Sequence, residues 1–140
     1  MSFAESPSPR LEPPARLLVE QQVRTVLAED VGTGDLTAEL LPGDARSRVE
    51  VITRQDAVIC GCAWFDEVFH QLDPGVSAQW QIGEGERAVE GRVLCRLSGP
   101  TRALLTGERT ALNYLQTLSG TATRARKYAD AVAGLPVRLL

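Results

Sequence analysis

Lysine, histidine and cysteine are scarce in this 140-residue sequence, and each scarcity removes a class of chemistry. Lys127 is the one lysine beside a large set of arginines, so lysine nucleophiles, Schiff bases and lysine-borne prosthetic groups are excluded unless Lys127 carries them. His70 is the one histidine, and it has no evident Asp or Ser partner with which to form a catalytic relay. The three cysteines, Cys60, Cys62 and Cys95, are odd in number and follow no evident secretory segment, which points to a reducing compartment, the cytoplasm. In an alternating strand Cys60 and Cys62 face the same side, but with His70 alone in support they fall short of a zinc ligand set. No metal site is therefore expected there. No apolar run reaches membrane-spanning length. A net charge of −3 supplies no basic field for nucleic acid or anionic lipid.

What is present suffices for one ordinary domain with a core, at an apolar fraction of 44%. Residues 1–13 are rich in Ser and Pro and lack an apolar centre, and they read as a disordered leader rather than a signal peptide. Pro13-Pro14 opens a helical pattern in which Leu17, Leu18, Val23, Val26 and Leu27 recur through about Ala28. The segment from Glu29 to Thr37 holds Gly32, Gly34, Asp30 and Asp35, which ends the helix in tight loop geometry.

From Ala45 the period changes to two: Arg46, Arg48, Glu50 and Ile52 alternate with Ser47, Val49, Val51 and Thr53, predicting a strand. A turn at Gln55-Asp56 leads to a return strand over Ala57–Gly61, and Ala63–Leu72 reads as a short helix with Trp64, Val68 and Leu72 on one side. Asp73-Pro74-Gly75 is a turn, Val76–Ile82 and Arg92–Leu97 are strands, and Gly83-Glu84-Gly85-Glu86 turns the chain between them. Pro100 suits a first helical position, and the pattern continues to about Ala133, with a possible break at Ser119-Gly120 and a cap at Gly134. Pro136–Leu140 looks like the start of a buried strand with nothing after it to pair with, as expected of a chain cut within a larger fold.

The run from Glu108 to Thr123 carries the most chemistry. At about 100° per residue, Arg109, Asn113, Gln116 and Gly120 share one stripe with Thr123 at its edge, and Ala111, Leu115, Leu118, Ala122 and Ala129 fall opposite. A helix that only needed solvation would carry Glu and Lys on its polar side. A planar guanidinium flanked by two carboxamides, with a gap beside it, suits a carboxylate or phosphate. The competing reading is a surface arginine paired with Glu108 or another acid.

Other candidates carry less. Glu29, Asp30 and Asp35 could ligate Mg²⁺ or Ca²⁺, but helix stopping and turn capping account for them, and their spacing fits no EF-hand. Gly83-Glu84-Gly85-Glu86-Arg87 lacks a third glycine and a following helix, so it is neither a Rossmann turn nor a P-loop. The spacing Gly83-x-Gly85…Ala88-Val89…Gly91-x-Val93-Leu94 is similar to the turns of lipoyl and biotinyl carriers, yet no lysine stands at a hairpin tip. Trp64, Phe69 and Trp80 read as core or interface.

Glu29-Asp30 through Gly34-Asp35-Leu36-Thr37, Leu104-Leu105, Glu108-Arg109-Thr110-Ala111-Leu112-Asn113 and Ser119-Gly120-Thr121-Ala122-Thr123 together resemble quinolinate phosphoribosyltransferase, from about Val23 to the end. One departure is Thr121, where the family often has Ile. The resemblance implies an α+β fold: an N-terminal α/β sandwich of the α/β-hammerhead kind with antiparallel strands over 14–107, then the opening helix and strand of an incomplete open α/β barrel over 108–140. It implies transfer of the phosphoribosyl group of phosphoribosyl pyrophosphate to the quinolinate nitrogen with Mg²⁺, loss of carbon dioxide, and formation of nicotinate mononucleotide. It implies a homodimer or higher homo-oligomer in which Arg109 grips a quinolinate carboxylate in the neighbouring subunit's site. No catalytic residue or metal ligand is assigned to this chain: the family's Thr-Arg-Lys-Thr run, its His-Arg pair and its acidic ligands would all follow Leu140, and 140 residues alone are expected to be inactive. The alternatives are a phosphoribosyltransferase-like relative, molybdenum-transport-associated or nicotinate-specific, and a non-catalytic dimerisation or binding module.

Overall fold

A computed structural model of the chain describes residues 14–32, 34 and 36–137. The leader over 1–13, Asp35 of the acidic loop and the last three positions of the expected terminal strand lie outside the described residues. Among the described residues nine elements follow one another: α1 (Arg16–Asp30), α2 (Leu36–Glu39), β1 (Arg46–Ile52), β2 (Ala57–Val58), α3 (Cys62–Leu72), β3 (Ser77–Trp80), β4 (Arg87–Ala88), β5 (Val93–Pro100) and α4 (Thr101–Ala131). Strands β1, β5 and β3 form an antiparallel sheet in that order, and β2 and β4 form a separate antiparallel pair.

The register divides the sheet into two faces. Leu97 on the central strand stands opposite Val49 and Ala78, and Cys95 opposite Val51 and Trp80. These rows face the helices. The alternate row sets Arg96 opposite Glu50 and Gln79, and Ser98 opposite Arg48 and Ser77, on the polar outer face. There Arg96 Nε donates to Glu50 Oε1 at 2.8 Å. The alternation expected over Arg46–Ile52 is therefore the observed strand. Strand β5 runs three residues further than expected because Ser98, Gly99 and Pro100 pair with Arg48, Ser47 and Arg46. Pro100 closes that strand and precedes α4, which begins at Thr101 rather than at Pro100.

One apolar cluster joins α1, α3, α4 and the inner sheet face. In α1 the buried stripe is Val19, Val23 and Leu27, one residue every four, while Leu17 and Leu18 remain exposed against the expectation that they join it. In α3 the buried residues are Phe65, Val68 and Phe69, with Trp64 and Leu72 at the margin. Phe65 meets Phe69 and Trp80 edge-on, with ring centroids 5.3 and 5.2 Å apart, a geometry favoured by ring quadrupoles. The indole N–H groups are satisfied outside the cluster, Trp64 donating to Gln22 and Trp80 to Asp66.

Two expectations are corrected by side chains that compete for backbone groups. The return strand ends at Val58, because Ser119 Oγ takes both the N–H and the C=O of Cys60 (3.0 and 3.1 Å). Gly61 then adopts φ +103°, which only glycine tolerates freely, and Cys62 becomes the first residue of α3. Cys60 and Cys62 thus do not share a strand face. The expected break of the long helix at Ser119-Gly120 is also absent. Ser119 fastens the middle of α4 to Cys60, and Thr123 Oγ1 accepts the Val58 N–H at 2.8 Å, which holds the helix through the glycine. Pro136 and Val137 lie in no strand, and Gly134 takes φ +82° three residues past the helix. Among the described residues no helix is long and apolar enough to cross a membrane.

Candidate functional site

Helix α4 presents its middle turns as two faces. Ala111 and Leu115 are buried and Leu118 and Ala122 half-buried, while Arg109, Asn113, Gln116 and Gly120 are all exposed. The stripe read from the sequence is therefore brought together. Two members of the pattern are placed differently. Thr123 turns toward the body to meet Val58, and Ala129 is exposed because the last turns of α4 extend past the core.

Arg109 is 79% exposed, and its Nη2 lies 3.7 Å from Oδ1 of Asp30 at the end of α1. That separation is Coulombic contact rather than a hydrogen bond. An exposed pair of this kind contributes about 0–1 kcal/mol, so the guanidinium is neither buried nor consumed. The acid beside it is Asp30, not the adjacent Glu108. Asp30 is held in turn by Thr110, whose hydroxyl donates to Oδ2 at 2.7 Å from a position only 2% exposed. Burial raises the Tyr114 phenol pKa, and the Asp30 charge raises it further. Asp30, Glu108, Arg109, Asn113 and Gln116 line an open concavity of about 650 Å³.

A second concavity, of about 700 Å³, lies between β1 and α4 and reaches Phe65, Phe69, Leu94 and Leu97. It is the larger, but its walls are mainly apolar, and it offers no cluster of cationic donors for an anionic ligand. The chemistry favours the smaller, polar one.

The remaining candidates take structural roles. Glu84 accepts the Gly61 N–H at 2.7 Å and the Cys62 N–H at 3.1 Å, so the expected turn delivers a carboxylate to the start of α3. Gly61 has no side chain with which to cap that helix, and Glu84 does so from a distance. Burial would raise the Glu84 pKa, but the Gly61 N–H, the Cys62 and Cys60 thiols and the Cys62 N–H outweigh it and hold the pKa below its usual 4.5. Burial and the neighbouring Glu84 push the Cys60 thiol up to about 11 and raise Cys62 as well; burial, with Asp66, takes Cys95 to about 12. All three thiols are poor nucleophiles at neutral pH. His70 is exposed, with Nδ1 3.8 Å from Glu67. Among the described residues no group of three or more His, Cys, Asp or Glu could hold a metal ion.

The family model described as quinolinate phosphoribosyl transferase, N-terminal domain, matches residues 35–119, which include β1 to β5 and the stripe to Gln116. The chain belongs to this family. It is 33% identical over 135 residues to a probable carboxylating nicotinate-nucleotide pyrophosphorylase of Synechocystis sp., with 96% of the chain and 46% of that protein covered. It is 38% identical over 99 residues to the Bacillus subtilis protein of the same description, with 71% and 34% covered. The solved nicotinate-nucleotide pyrophosphorylase of Francisella tularensis superposes with a TM-score of 0.84 at 35% identity, over 87% of this chain and 44% of that one. The NadC structure from Streptococcus pyogenes gives 0.86 at 28%, over 91% and 46%. The chain spans about half the length of the curated relatives it matches. Its mixed α/β architecture with antiparallel strands is shared with those neighbours.

Sequence reasoning missed Thr110, Ser119 and Glu84 as anchors. The first two did leave a signal: each is a hydroxyl residue on the apolar side of a helix, where a buried oxygen requires a partner.

Proposed function

We propose that this chain serves the reaction for which its relatives are named: quinolinate and phosphoribosyl pyrophosphate are converted to nicotinate mononucleotide, carbon dioxide and pyrophosphate. The quinolinate nitrogen bonds to the ribosyl carbon as the diphosphate oxygen leaves with its electron pair. The carboxylate next to that nitrogen departs as carbon dioxide, leaving its bonding pair on the ring carbon, which takes up a proton from solvent. The observation that carries this reading is the Arg109 stripe. An exposed guanidinium, flanked by Asn113 and Gln116, stands on a rigid helix inside the segment that the family model matches.

In this reading Arg109 holds one carboxylate of quinolinate. A dicarboxylate and a diphosphate need more cationic partners than one arginine supplies. The described concavity is also too open to exclude water by itself. Both points support a site that Arg109 enters from outside, across a homodimer, with the other cations supplied by the neighbouring subunit. The barrel opening at 108–140 belongs to the same proposal. Mg²⁺ would arrive with phosphoribosyl pyrophosphate, and the described residues offer it no ligand set of their own. Three free cysteines support a reducing, cytoplasmic setting.

Steady-state kinetics of the protein expressed from its complete reading frame test the assignment. Arg109→Ala should raise the quinolinate KM by roughly ten- to a hundredfold, the worth of hydrogen bonds to a charged group at about 1.5–3 kcal/mol. An unchanged quinolinate KM would remove Arg109 from the site.

A further inference from the structure

Residues 109 and 110 are neighbours in sequence, yet their side chains leave α4 in different directions, one to solvent and one into the core. Both meet the same carboxylate. Asp30 Oδ2 receives the buried Thr110 hydroxyl at 2.7 Å, and Oδ1 lies 3.7 Å from Arg109 Nη2. Only the fold makes this arrangement, since Asp30 ends α1 and lies 80 residues from Thr110. Resting on the reading of Arg109 given above, we propose that Asp30 is a positioning residue, locked by Thr110, that orients the Arg109 guanidinium for a carboxylate ligand.

Three features of the geometry support this. Thr110 is 2% exposed, so swinging Asp30 away would strand a buried hydroxyl, and the carboxylate is fixed. A fixed charge within 4 Å of a long, exposed side chain biases which of its rotamers is populated, and a ligand then has less motion to arrest. The 3.7 Å spacing is also well beyond the 2.7–2.9 Å of a charge-assisted hydrogen bond, so the donors of Arg109 stay available. Asp30 also repels an incoming anion. Salt screens that repulsion and the Asp30–Arg109 attraction alike, but a ligand held on the other donors of Arg109 lies further from Asp30 than the guanidinium does, so the attraction is the larger of the two.

The test is a kinetic double-mutant cycle on the protein expressed from its complete reading frame. Asp30→Asn keeps an oxygen for Thr110 and removes the charge that faces Arg109. It should raise the quinolinate KM by about three- to tenfold, the range expected when one long side chain must be ordered by the ligand. The KM for phosphoribosyl pyrophosphate, kcat and Tm should stay close to wild type. Thr110→Val, which frees Asp30 to move, should shift the quinolinate KM in the same direction. In an Arg109→Ala background Asp30→Asn should have no further effect on that KM. The proposal is overturned by a lowered quinolinate KM, which would make Asp30 a competitor. It is equally overturned by an effect that persists without Arg109, or by a parallel rise in both KM values with a lowered Tm. If Arg109→Ala itself leaves the quinolinate KM unchanged, the functional reading and this inference fail together. If Arg109→Ala raises it and Asp30→Asn does not, the inference alone fails.

Discussion

Two glycines in one helix should respond oppositely to the same substitution. Gly107 and Gly120 both lie within α4, and alanine is better than glycine in a helix interior by about 0.8–1 kcal/mol. Propensity therefore favours Gly107→Ala and Gly120→Ala equally. At position 120 nothing lies within 4 Å of an added methyl group, so that variant should gain about 0.5–1 kcal/mol. At position 107 the methyl carbon would stand 2.7 Å from Phe69 Cε1, 2.8 Å from Leu72 Cδ1 and 3.0 Å from Phe69 Cδ1. Leu72 sits at the core margin and can turn aside. Phe69 is 3% exposed and held edge-on to Phe65, so it cannot yield without disturbing the cluster. Overpacking of this kind costs about 1–3 kcal/mol. Gly107→Ala should thus be destabilised, and the gap between the two variants, in which propensity cancels, should be about 1–3 kcal/mol. Urea unfolding followed by far-ultraviolet circular dichroism measures both midpoints. Equal stabilities, or a Gly107→Ala variant above wild type, would show that α3 and α4 do not meet at this glycine as described.

Two further substitutions probe the anchors of α3 and α4. Glu84→Gln should lower stability at neutral pH by about 1 kcal/mol, as the loss of a charged helix cap does. Because the folded pKa of Glu84 is depressed below 4.5, its contribution is fully present above that value and is lost as pH falls through the folded pKa. The gap between wild type and Glu84→Gln should therefore close as the pH is taken below 4.5 and through the depressed folded pKa, and a gap constant with pH would refute the cap. Ser119→Ala leaves the N–H and C=O of Cys60 without their partner and should cost about 1–3 kcal/mol in the same unfolding assay; a loss under 0.5 kcal/mol would mean that water replaces the hydroxyl without penalty.

The parts of the fold legible in the sequence are those written in local period. The alternation over Arg46–Ile52 needs only its own residues to be recognised, and the register sets Val49 and Val51 opposite the buried Leu97 and Cys95 as the pattern requires, although Val49 stays 42% exposed. The exposed stripe of α4 is equally local: Arg109, Asn113, Gln116 and Gly120 follow from helical geometry alone. What escaped depends on residues far apart in sequence. Thr110 finds Asp30 across 80 residues, Ser119 finds Cys60 across 59, and Gly61 finds Glu84 across 23. Each such partner changes a local outcome: one closes the return strand early, one caps a helix that glycine cannot cap, and one fixes the acid beside the candidate arginine. Val19 displaced Leu17 and Leu18 from the core of α1 for a related reason, since the sequence offers several apolar stripes and only the position of α3 selects among them.

The same packing explains why an exposed arginine on this helix can act with precision. Arg109 is followed directly by Thr110 and Ala111, both buried, and the next turn carries Leu115 into the core. Its backbone is therefore fixed by buried residues in its own turn and the next, and only the side chain remains free. An arginine on a mobile loop would require a ligand to order backbone and side chain together, at about 1–2 kcal/mol for each backbone residue fixed. Here folding has already ordered the backbone, and the contact with Asp30 restricts the guanidinium further. A group with a rigid base and a directed, solvated head is suited to completing a site on another molecule's surface, because its position does not depend on the partner being present. The buried face of α4 and its exposed stripe are thus two consequences of one helical repeat: the first fixes where the second points.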